Sequence, residues 1–166
     1  MDTFWKEMLW RQFGATVEML ENGVRACPDE LWRDREHKPE VWYMVYHTLF
    51  FLDLYLSGSV EGFQPPAPYN LDEMDPAGIL PERVYTKEEL LSYLEHCYRK
   101  CRDVINGLTV EKAQAPCGIE WLDMSFAELL IYNMRHVQHH SAQLNLILRQ
   151  RIDSSPRWVA RARTGL

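Results

Sequence analysis

Three histidines have the spacing of a metal site. His136 and His140 are four residues apart, so on a helix their imidazoles share a face and can converge on one point. His47 stands inside the most apolar stretch of the chain, residues 41–56, where only His47, Thr48 and Asp53 interrupt apolar and aromatic side chains. Burying such a polar group without a partner costs about 2 kcal/mol or more. Three of them on packing faces therefore need something to satisfy them. Three imidazoles from two packed helices would form a facial site for a divalent ion. Zinc and nickel suit imidazole, and three protein ligands leave a position open for water or substrate. The competing reading makes the histidines hydrogen-bonded core residues. His139, one residue before His140, either replaces it as ligand or orients a ligand, and the four-residue spacing favours His140. Tyr43 and Phe51, one turn either side of His47, would flank the ion. Asn133 and Gln143 are contacts to ligands or substrate, or else interhelical hydrogen bonds. Cys97 and Cys101 share this four-residue spacing but read as small buried thiols. His37 and His96 lie off the apolar stripes and read as surface.

Four helices must hold these residues. Apolar positions recur at three and four over residues 3–25. A second helix is expected over residues 39–56, with Pro39 suited to its first turn. Thr86 with Glu89, and Ser125 with Glu128, are capping boxes that open a third helix ending near Gly107 and a fourth ending near Arg151. Residues 57–85 hold five of the nine prolines and cannot be regular structure. A connection this long implies a crossover between two helix pairs. Residues 109–124 form a shorter linker with room for a helical turn. The reading is an all-α, four-helix bundle over residues 1–152, followed by an Arg-rich tail, residues 153–166, taken as a solvated terminus.

The run His136-Val137-Gln138-His139-His140-Ser141-Ala142-Gln143-Leu144, with a lone His47 on the second helix, resembles the DinB/YfiT-like superfamily. That family commonly carries H-x-x-H-H-R-G-Q-[LI] in its last helix. The resemblance implies a four-helix bundle holding a divalent metal on His47, His136 and His140. This chain has Ser141-Ala142 where Arg-Gly is frequent. The resemblance also implies a metal-dependent enzyme, and some members transfer low-molecular-weight thiols such as bacillithiol and mycothiol.

A metal-held thiol is deprotonated, and the thiolate is the nucleophile. The leading expectation is transfer of a low-molecular-weight thiol to a small electrophilic substrate. Hydrolysis by metal-activated water is the alternative. It needs a base, for which Glu120 and Asp123 are nearest in the chain, Asp53 being turned away from His47. A third reading is a bundle with a structural metal, or none, acting as a binding module.

Composition narrows the partners. A chain of 166 residues is one domain's worth. Its net charge of -6, with no basic block, argues against nucleic acid. The apolar run of the second helix is too short for a membrane span and carries ionisable groups. It is also more apolar than a bundle core requires, which would suit a homodimer interface. Four sparse cysteines and an amphipathic start, unlike a signal peptide, suggest reduced thiols and a cytoplasmic protein.

Overall fold

The computed structural model describes residues 2–36, 38–78, 81 and 83–166; His37 lies outside them. It is all-helical. Four long helices, α1 (Thr3–Ala26), α3 (Val41–Ser57), α4 (Lys87–Asn106) and α6 (Phe126–Ile152), form the bundle. Two short ones, α2 (Asp29–Trp32) and α5 (Val110–Gln114), sit in the connections. Both capping boxes are present: Thr86 and Glu89 close the start of α4, and Ser125 and Glu128 that of α6.

Each of α1 and α3 packs on both α4 and α6, so α1 and α3 are diagonal. The side chains give the directions. Lys6 bonds the Asn106 carbonyl and Glu18 meets Tyr98, so α1 and α4 are antiparallel. Cys97 reaches the Leu49 carbonyl and Lys100 reaches Asp53 and Ser57, so α3 and α4 are parallel. Tyr55 meets Tyr132 while His47 meets His140, so α3 and α6 are antiparallel. Parallel neighbours cannot be joined by a tight turn. The connection from α3 to α4 therefore runs back along the bundle, and it carries a 3-10 turn, Asp72–Met74.

Helix α3 is buried almost all round. Its half-exposed residues before the last are Tyr43, His47 and Phe51, spaced by four on a single stripe. Everything else from Val41 to Leu56 is covered within the chain, so α3 keeps no surplus apolar face for a second copy. On α6 the fully buried stripe runs through Leu129, Leu130, Asn133, Val137, Ser141, Leu144 and Leu148. His136 and His140 lie at the edge of that stripe, half-buried, and not at its centre.

The Arg-rich tail is mostly exposed, but its last residues are seated on α1. The Ala162 amide donates to the Arg11 carbonyl at 2.8 Å, and Trp10 Nε1 donates to the Thr164 carbonyl at 2.8 Å. The Arg163 amide donates to Glu18 Oε1 at 2.9 Å, and its guanidinium faces the other oxygen of that buried carboxylate at 3.3 Å. Gly14 permits the approach, because a Cβ there would stand 2.7 Å from the Ala162 Cβ.

Candidate metal centre

Antiparallel packing of α3 on α6 brings His47 against His136 and His140. The ring centroids lie 5.5 Å apart for His47–His136, 5.2 Å for His47–His140 and 4.7 Å for His136–His140. One ring nitrogen from each lies within 4.8 Å of the others, a spread that one ion can bridge. His139 is exposed and outside this group; its ring touches that of His140 at 5.0 Å.

The chemistry of the rings fits a cation. Burial first, then the neighbouring imidazoles, lowers the pKa of His136 to about 3. Burial also leads in lowering that of His140 to about 4, against a hydrogen bond from Gln143 that works the other way. Both rings are therefore neutral at pH 7, the form that ligates. His140 Nδ1 pairs with Gln143 Oε1 at 2.7 Å, and His47 Nδ1 with Glu73 Oε2 at 2.7 Å. In each case Nε2 is left for an ion. His136 Nδ1 is buried and has no hydrogen-bond partner among the described residues. Such a desolvated nitrogen costs about 1–3 kcal/mol unless something takes up its bonding capacity. Neutral imidazoles, one of them orphaned, form a donor set that suits a divalent ion such as zinc or nickel.

Aromatic rings wall the cluster. Phe51 lies 4.8 Å from His47 and 6.0 Å from His136, and Tyr43 lies 6.3 Å from His47. Tyr55, 6.1 Å from His136, adds a further wall. It continues the four-residue spacing of Tyr43, His47 and Phe51, which is the signal that would have found it. Asn133 is fully buried, and its amide donates to the Leu52 carbonyl at 3.0 Å. It ties α6 to α3 beneath the site, as the hydrogen-bonding reading had it. A shallow groove opens beside His136, lined by Tyr132, Arg135, Gln138, His139 and Ala142.

Other residues lie elsewhere. Asp53 is buried against α4, bonded to Lys100 and Tyr93. His96, expected on the surface, is half-buried and 3.5 Å from Asp53. Glu120 and Asp123 are exposed in the connection before α6, whose first residue lies roughly 15 Å along the helix axis from His136. Cys97 and Cys101 are fully buried and free.

A model of the DinB superfamily matches residues 12–144, from within α1 to within α6, including all of α3 and α4 and the three histidines. The chain belongs to the DinB superfamily. No curated protein and no solved structure matches it. Within this family's fold, the Ser141 that replaces a frequent Arg is 1% exposed and its hydroxyl has no partner. Ala142 beside it faces the groove.

The residue that sequence reasoning missed is Glu73. It comes from the 3-10 turn of the crossover connection, with its side chain 3% exposed. It touches His47, yet nothing in its Pro-rich surroundings has a period that would mark it.

Proposed function

We propose that this DinB-superfamily chain is a metal-dependent enzyme that transfers a low-molecular-weight thiol to an electrophilic small molecule. The observation that carries this reading is the convergence of three imidazoles, two of them held neutral, at the edge of a surface groove. A divalent ion, zinc or nickel, supplies when bound the positive charge that keeps a thiol as thiolate at neutral pH. His47, His136 and His140 hold it. Phe51, Tyr55 and Tyr43 give the cluster an apolar wall, which strengthens charge interactions inside it. Arg135, on the groove beside His136, is placed to receive a carboxylate of thiol or substrate.

Hydrolysis has less support. It needs a base near the ion, and Glu120 and Asp123 are exposed residues of the connection before α6, outside the histidine group. Asp53 is held by Lys100, and Glu73 is engaged with His47.

The reading extends to the protein's setting. No described helix is long and apolar enough to cross a membrane. Free cysteines, three of them buried, suit the reducing cytoplasm. The acidic chain suits neither nucleic acid nor a membrane surface. A second copy would dock on the α1·α6 face, where Trp158 is 70% exposed and Ile131 50%.

Elemental analysis of the purified chain beside His136→Ala tests the metal. About one divalent ion per chain, lost in a folded variant, is expected. Addition of thiols to the cobalt-substituted protein tests the reaction class, with a sulfur-to-metal charge-transfer band expected. No band with any physiological thiol rejects thiol transfer.

A further inference from the structure

Glu73 contacts the candidate metal centre from outside the bundle's helices. Its Oε2 stands 2.7 Å from His47 Nδ1, across 26 residues of chain. Its other oxygen, Oε1, is buried and, among the described residues, makes no hydrogen bond of good geometry, the Tyr43 hydroxyl being the neighbouring donor. Among the described residues no Lys or Arg pairs with it; its close contact is the His47 imidazole. Two phenols lie in its surroundings: its charge contributes, after burial, to raising the pKa of Tyr43 and of Tyr46. A carboxyl group so enclosed is costly to bury unless a positive charge lies close.

The local structure fixes it there. Asn70 Oδ1 accepts from the Asp72 amide at 3.1 Å, and the Met74 amide closes the turn on the Leu71 carbonyl at 2.9 Å. Just upstream, Tyr69 stacks on Tyr93 at 4.2 Å, and its hydroxyl donates to the Glu89 carbonyl at 2.6 Å. The turn that carries Glu73 is thus anchored on α4 while its carboxyl group reaches α3.

Glu73 is not one of the grouped donors, which are the three imidazoles alone. We propose that Glu73 is the positioning residue of this centre: it accepts the His47 Nδ1–H and so holds Nε2, unprotonated, toward His136 and His140. An imidazole can carry its single proton on either nitrogen, and only one tautomer presents a lone pair to the ion. A carboxylate behind the ring selects that tautomer and makes the ring a better donor. The ion in turn supplies the positive charge that the enclosed carboxyl group otherwise lacks. The crossover connection is, on this account, a working part of the site as well as a link.

The proposal rests on the metal reading above, but its test does not use the reaction. Zinc affinity is measured by chelator competition for the full chain, Glu73→Gln and Glu73→Ala. Long-range proton–nitrogen NMR of the zinc-stripped chain reports the His47 tautomer. The wild type is expected to carry the proton on Nδ1. Glu73→Ala is expected to mix the tautomers and weaken zinc binding roughly 10–100-fold. Glu73→Gln, nearly the same shape and able to accept the same proton without the charge, should fall between. If Glu73→Ala does not fold, Glu73→Gln alone decides. Zinc affinity within twofold of wild type in the folded variants, or an Nε2–H tautomer in the wild type, overturns the proposal. Weakened zinc binding in the variants, in a chain that transfers no thiol, supports Glu73 and rejects only the thiol reaction. No zinc binding by the wild type overturns both.

Discussion

Protons and metal compete for the same nitrogens at this centre, and the pKa shifts fix where. His136 and His140 are lowered to about 3 and about 4, from an ordinary 6.5, chiefly by burial. The unfolded chain takes protons on these rings below pH 6.5, and the folded chain refuses them until 4 or 3. Their contribution to metal-free stability is therefore full above 6.5 and is lost as pH falls toward 4. Urea unfolding of the zinc-stripped chain should show a midpoint that declines across this window. The decline should be shallower in His136→Asn, which has no ring to protonate. An equal slope in both would mean that His136 does not titrate between the states. These two histidines were legible in the sequence because a helix turns fixed spacing into a shared face. His47 was legible because it interrupts an apolar run. Glu73 was not: its placement depends on how a Pro-rich connection folds back, which no local period encodes.

Caps and stripes made the long helices readable, but pairing between helices was not. The buried Asp53 was read only as turned away from His47. The structure gives it a purpose, because α3 and α4 are clamped where Lys100 bonds Asp53 Oδ1 and Ser57 Oγ, and Tyr93 bonds Asp53 Oδ2 at 3.1 Å. Asp53 is 1% exposed at its side chain and Lys100 27%. Removing the lysine leaves a carboxylate that cannot reach water, with the Tyr93 hydroxyl and, at 3.5 Å, His96 as its remaining partners. Lys100→Met should thus destabilise the bundle by about 3 kcal/mol, read as a lower urea midpoint at unchanged slope. Zinc stoichiometry should not change, since this clamp is on the α4 side of α3 and the histidines on the α6 side. A loss below about 0.5 kcal/mol, the range of an ordinary surface substitution, would show that the pair is surface-like. The short helix α2 was missed for a simpler reason: four residues give no period to read.

At the scale of the whole molecule, the tail's arginines are exposed, as their charge suggests, while its backbone is partly seated on α1. Arg163 carries a positive charge, but its backbone amide and guanidinium both meet Glu18, which α1 buries. A cation and an acid that read as unrelated in the sequence are partners across 145 residues. Trp158, in the same tail, has no such seat and stays exposed beside Met134 and Gln138 of α6. The two features separate by experiment. Deleting residues 157–166 removes the hydrogen bonds at Trp10, Arg11 and Glu18, worth about 1 kcal/mol each, together with exposed ones at Gln12, Asn22 and Tyr98 that add little, and with them Trp158. Trp158→Glu removes only the exposed ring. If a second copy docks on the α1·α6 face, sedimentation should find a dimer for the wild type and monomers for both variants. Urea unfolding of the two monomers should then differ by about 3 kcal/mol, the truncated chain being the weaker. Equal stability would mean that the tail's hydrogen bonds add nothing to the fold. A dimer retained by Trp158→Glu would place the contact on another face. Zinc content is expected to be the same in all three chains, because the tail's hydrogen bonds are to α1 and α4 and Trp158 meets the Met134 side of α6, while the histidines face each other between α3 and α6.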